Sequence, residues 1–196
     1  MYRQHVPVIA SAMRADPATF TRGCLFAILS MRQPFNVVPS QLEETDQLRA
    51  DAPCLFGFKR KAYRHLVINE RPLWEAACAI ALDQPTDVIL ELLTVPGLGI
   101  VKSGFIAQML GFDVACLDTR NVAREGRDRR AYRTDGLPPS RPSIQRKVAA
   151  YVADVQGHAE RYWDEWCTEV GPIYGLTPEQ ASALHVDAIC GDAIPF

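Results

Sequence analysis

The chain has 196 residues, enough for one domain or for two lobes around a shared cleft. With 48% apolar and 22% charged residues it can bury a real core, which excludes a disordered chain. The formal net charge is −2, so any nucleic-acid footprint must be a local cluster rather than a global bias.

Residues 1–10 lack the apolar run of a signal peptide, and no stretch approaches the ~20 apolar residues of a membrane span. The reading is a soluble, intracellular protein with no membrane partner. Asp16-Pro17-Ala18-Thr19 predicts a helix start, with Asp16 as cap and Pro17 in the first turn. Residues 20–31 are nearly continuously apolar, and their length favours a buried helix that stops before Pro34. Pro39-Ser40 starts a helix through about Ala50. Residues 59–69 read as a helix with cationic outer positions. Residues 73–82 and 85–93 read as short apolar helices, the second capped by Asp83 or Thr86.

Val95-Pro96-Gly97-Leu98-Gly99 then precedes an apolar helix over 100–110. Residues 115–120 read as a connector, and 120–136 as a polar, arginine-rich stretch. Residues 138–142 read as a rigid proline linker. Residues 143–170 read as one long helix, apolar at Val148, Tyr151, Val152, Val155, Trp163 and Trp166. Thr177-Pro178-Glu179-Gln180 starts a last helix to about Cys190. No strand set or repeat emerges, so the class is all-α and residues 1–196 read as one domain.

The six cysteines are scattered without a C-x-x-C pair, which argues against zinc and for reduced, mostly buried thiols. No metal or organic cofactor is called for. His5, His65, His158 and His185 read as structural, and Tyr151, Trp163 and Trp166 as core.

The Pro96-Gly97-Leu98-Gly99 hairpin carries the functional signal. Its glycines permit positive φ and close approach of a partner, and the N–H groups of the next helix can bind an anion such as a DNA phosphate. An ordinary interhelical turn is the bland alternative. The segment from Leu93-Thr94-Val95 through the hairpin to Gly111, followed by Leu117-Asp118-Thr119-Arg120, resembles the signature of the helix-hairpin-helix DNA glycosylase superfamily. Gly57-Phe58-Lys59-Arg60-Lys61-Ala62 is similar to that superfamily's glycine-x-x-x-lysine-alanine segment, and residues 20–33 to its first core helix. The resemblance spans about residues 18–125. It implies a two-lobed helical fold, double-stranded DNA as partner, base flipping into a pocket, and Asp118 as the catalytic aspartate. The cluster cysteines of endonuclease III are absent. The position of a Schiff-base lysine holds Val101, and Lys102 follows one residue later. One residue turns a side chain by about 100° on a helix, which leaves open whether Lys102 faces the pocket.

Residues 95–105, residues 115–121 and Tyr162-Trp163-Asp164-Glu165-Trp166-Cys167 are similar to bacteriophage proteins of the amino acid:DNA transferase family. That resemblance implies replacement of the phosphate of 5-phosphomethyluracil in double-stranded DNA by an amino acid such as glycine. It also implies work in the cytoplasm of a bacterial host. Asp118 would accept a proton from the attacking amine, and Lys102, Arg120 and Arg124 would bind the leaving phosphate. Arg120, Arg124, Arg127, Arg129, Arg130 and Arg133, offset by only Glu125 and Asp128, form the strongest cationic segment. It reads as a DNA-backbone contact ordered on binding, or else as a solvated loop. Arg32 and Gln33 are wedge candidates by position, with surface solvation as the alternative. Cys116 would need a lowered pKa to act as a nucleophile and reads more simply as a structural thiol. For Asp118 the alternative is a helix cap. Three functions stay open: the transferase, a monofunctional DNA glycosylase excising a modified or damaged base, and a DNA-binding module without chemistry.

Overall fold

The computed structural model describes residues 1–48, 51–128 and 130–191. Within them the chain is all-helical, with no strand. Helix α1 (Tyr2–Ala15) ends at Asp16, whose carboxylate accepts from the Thr19 backbone N–H at 2.8 Å and so starts α2 (Pro17–Leu29) as expected. Phe20, Cys24, Phe26, Ala27, Ile28 and Leu29 on α2 are fully buried. This near-uniform apolarity marks a helix packed on all sides, and α2 touches α1, α11 (Pro178–Cys190) and the four further helices α3 (Val38–Leu48), α4 (Phe58–Ile68), α5 (Glu70–Ala79) and α7 (Ile100–Met109). The expected end of α3 near Ala50 lies outside the described residues.

Three local expectations are corrected. Lys59 is not an outer position of α4: it is 2% exposed, and its ammonium donates to the Leu29 carbonyl at 2.9 Å, capping the C-terminus of α2. Neither Asp83 nor Thr86 caps α6 (Pro85–Leu92), whose N-cap is Gln84 without a side-chain bond. The long C-terminal helix is two helices, α9 (Pro142–Val155) and α10 (Ala159–Val170), separated at Gln156-Gly157-His158 with Gly157 at φ +80. A positive φ cannot continue a right-handed helix, so the chain turns there. A capping box between Thr177 and Gln180 begins α11 (Pro178–Cys190), as read from the sequence.

The buried apolar side chains form one cluster that draws on every helix, including the short α8 (Thr119–Arg124). α1 packs on α11 and α10, while α6 packs on α7 and α9. The first and last helices thus close against each other, and α7 from the middle of the chain also packs on α1. Among the described residues no helix is long and apolar enough to cross a membrane.

Candidate functional site

The turn between α6 and α7 exposes Pro96 and Gly97. Gly97 sits at φ +88, and a Cβ there would come within 2.9 Å of the Phe58 ring, so both conformation and space demand glycine. The Leu98 side chain is buried in the core and anchors the turn. Gly99 is extended, at φ −109, and is the N-cap of α7 with no side-chain cap. A Cβ on Gly99 would meet nothing within 4 Å. No side chain caps the first N–H groups of α7, which leaves them available to an anion.

Downstream, the chain runs extended into Asp118, and three buried side chains hold that run. The Tyr151 hydroxyl donates to the Ala115 carbonyl and accepts from the Leu117 N–H. The Gln108 carboxamide accepts from the Cys116 N–H at 3.2 Å and donates to the Ala159 carbonyl at 2.9 Å. Asn121 donates to the Cys116 carbonyl at 2.7 Å. Tyr151 reaches its place because residue 104 is glycine: a Cβ there would lie 2.5 Å from the hydroxyl.

Asp118 is the N-cap of α8, with Oδ1 accepting from the backbone N–H groups of Arg120 at 3.0 Å and Asn121 at 2.9 Å. Oδ2 accepts from the Trp166 indole at 3.1 Å. A carboxylate has about four acceptor sites. Three donors fix this one and leave a further site on a residue that lines the cleft. The cap and the cleft position coexist.

Two cavities meet at this residue. An inner one of about 300 Å³ is lined by Phe35, Phe105, Trp163, Trp166 and His185, with Gln33 and Arg120 also at its wall. An outer one of about 540 Å³ is lined by Arg32, Phe58, Gly97, Val101 and Tyr132. Ser30, Lys102, Asp118 and Thr119 line both. Lys102 therefore faces the cleft despite its shifted position. Its ammonium donates to Ser30 Oγ at 2.8 Å and lies 5.2 Å from the centre of the Phe105 ring. Arg32 holds a positive φ of 58 and is exposed at the outer cavity. Gln33 turns inward, with Oε1 buried and unpartnered.

The arginine segment divides. Arg124 is engaged within the protein, against Glu165 and Glu169 of α10 at 2.5 and 2.6 Å and Asn121 at 2.9 Å. Arg127 pairs with Asp154 at 2.6 Å, and Arg133 with Asp135 at 3.1 Å. These three pair with carboxylates of the protein itself. Arg120 and Arg130 are exposed and form no ion pair among the described residues. Arg129 lies outside the described residues. Cys116 lines the inner cavity, but burial pushes its thiol up to about 12, opposite to what a thiolate nucleophile requires.

Sequence reasoning missed the chamber walls. Trp163 and Trp166 recur at helical spacing like any core residues, His185 reads as structural, and no local signal separates a cavity wall from a packed core. Among the described residues no group of His, Cys, Asp and Glu could hold a metal ion. No protein-family model, curated protein or solved structure matches this chain.

Proposed function

We propose that this protein modifies a base in double-stranded DNA, transferring a small amino acid such as glycine onto 5-phosphomethyluracil with release of phosphate. The observation that carries the reading is one cleft holding a fixed carboxylate, Asp118, beside two cations, Lys102 and Arg120, that no described carboxylate neutralises. Cations left unpaired next to a carboxylate suit a reaction that handles an amine and a phosphate together. The bare N-terminus of α7 and the exposed Arg32 and Arg130 would hold the DNA backbone outside it.

In this reading the base leaves the stack and enters the inner cavity through the outer one. An amino acid is protonated at neutral pH and cannot attack in that form. The free acceptor site of Asp118 takes a proton from the ammonium. The amine lone pair forms a C–N bond at the 5-methylene carbon, and the C–O bond breaks with its electron pair leaving on phosphate. Lys102 and Arg120 stabilise that developing charge. The resemblance to the helix-hairpin-helix glycosylases and to the amino acid:DNA transferases supports the same reading, with a two-lobed fold and a setting in the cytoplasm of a bacterial host.

The second reading, a monofunctional glycosylase, uses the same Asp118 to stabilise positive charge at the sugar, and is favoured by the carboxylate's fixed orientation. The deciding experiment incubates the protein with duplex DNA containing 5-phosphomethyluracil, with and without glycine and other amino acids, followed by nucleoside mass spectrometry. An amino-acid-dependent mass shift lost in Asp118→Ala establishes the transferase. Abasic sites formed regardless of amino acid overturn it in favour of the glycosylase. Salt-sensitive DNA binding without any product leaves a binding module.

A further inference from the structure

His185 stands at the wall of the inner cavity with its ring packed among Phe26, Phe35, Trp163 and Trp166, at centroid distances of 5.1, 5.0, 4.6 and 5.5 Å. It is 2% exposed. Its Nδ1 lies 3.0 Å from the Ala181 carbonyl of its own helix. A carbonyl only accepts, so Nδ1 carries the hydrogen. Desolvation keeps the ring neutral at any ordinary pH. Nε2 is then a bare acceptor on the edge of the ring turned away from Ala181, with no hydrogen-bond partner among the described residues. A second acceptor, Gln33 Oε1, lines the same cavity and is buried without a partner.

A buried acceptor without a donor, as Gln33 Oε1 is, is rare in folded proteins because it forfeits its hydration. A ligand that brings an N–H donor into this chamber relieves that loss. The walls are aromatic and suit a flat ring. A uracil-type ring presents an N–H at N3 between two carbonyls, whereas a cytosine-type ring presents a bare nitrogen there.

We infer that His185, through Nε2, is a specificity-determining residue that accepts the N3–H of a uracil-type base and rejects a cytosine-type base by setting acceptor against acceptor. The inference rests on the reading that a flipped base enters the inner cavity, but not on the reaction performed there. The tautomer is what gives the selection its direction. A carboxamide such as Gln33 can rotate and serve either base, while the hydrogen bond to Ala181 holds the imidazole to one pattern. Discrimination of about tenfold is expected where one base offers Nε2 a donor and the other an opposing acceptor.

The test titrates the full chain with thymidine, N3-methylthymidine and deoxycytidine, following quenching of Trp163 and Trp166 fluorescence. Thymidine is expected to bind at least about tenfold more tightly than the other two. His185→Phe, which keeps a ring but removes the acceptor, should level the three. In a 15N-labelled sample the unprotonated nitrogen of His185 should shift with thymidine and not with N3-methylthymidine, a signature independent of whether the variant folds. Equal binding of the three by the wild type, no binding of any, or an unmoved His185 resonance with thymidine bound overturns the inference. Discrimination that persists in a protein that never transfers an amino acid leaves the base selection standing and removes the reaction.

Discussion

The indole nitrogen of Trp166 donates to Oδ2 of Asp118 across 3.1 Å, joining α10 to the start of α8 over 48 positions of sequence. The backbone of α8 holds Oδ1 alone, so the tryptophan decides which way the other oxygen faces. Trp166→Phe keeps the aromatic wall and deletes this donor. Transfer is expected to fall by about tenfold or more, while DNA affinity stays within about twofold, since a hydrogen bond to a charged group is worth roughly 1.5–3 kcal/mol. Single-turnover rates and gel-shift titrations on one protein batch check both halves.

Asp118→Asn separates the two duties of that side chain. Asparagine is as good an N-cap as aspartate, so the melting temperature should stay within a few degrees. Turnover should drop by about 10²–10⁴, the usual worth of a positioned base. A variant that melts far lower would make Asp118 chiefly a structural cap.

Gly104→Ala tests the support behind the site. A methyl there meets the Tyr151 hydroxyl at 2.5 Å, and Tyr151 holds the Ala115–Leu117 backbone leading to Asp118. The overpacking should cost about 1–3 kcal/mol of stability. Activity should fall with it, and adding Tyr151→Phe should not recover the stability, because ring carbons at 2.6 and 2.9 Å still clash and the bonds to Ala115 and Leu117 are lost. Denaturant unfolding of the two variants and the wild type measures this.

The arginines should split by partner. Arg124→Ala removes its contacts with Glu165 and Glu169 and should lower stability by about 1 kcal/mol with little change in DNA binding. Arg130→Ala should leave stability unchanged and weaken DNA binding, reducing the slope of log affinity against log salt by about one. Titrations across a salt series read the slope directly.

His185 gives the fold a pH dependence. Burial depresses its folded pKa from 6.5 to about 3, so below pH 6.5 the unfolded chain binds a proton that the folded chain refuses. Stability from this group is full above about 6.5 and is lost progressively as pH falls toward about 3. The melting temperature of His185→Phe should therefore fall less steeply than that of the wild type between pH 6.5 and 4. Parallel slopes in the two proteins would contradict the assignment.

What the sequence shows and what it hides follow from the reach of each interaction. The caps at Asp16 and Thr177 bond within three residues, and both are readable from local chemistry. The apolarity of α2 is equally plain. Lys59 reads as a solvated charge because its partner, the Leu29 carbonyl, lies 30 positions earlier. Arg124 reads as a free cation because Glu169 lies 45 positions later. The break at Gly157 is masked by apolar spacing that continues through it. Asp118 and the hairpin glycines stand out through a motif. The chamber around them comes from α2, α7, α10 and α11, whose meeting no local pattern announces.

The contact between α1 and α11 has a consequence for the life of the chain on the ribosome. The turn at Gly97 and the carboxylate at Asp118 are synthesised well before Trp166 and His185. A nascent chain therefore has its hairpin before it has an inner wall, and Asp118 waits for its tryptophan. Only when the last helix docks on the first does the cavity exist. No fragment ending before α11 should carry the site, and a ligand of the chamber should protect α1 and α11 from hydrogen exchange as strongly as the residues it touches.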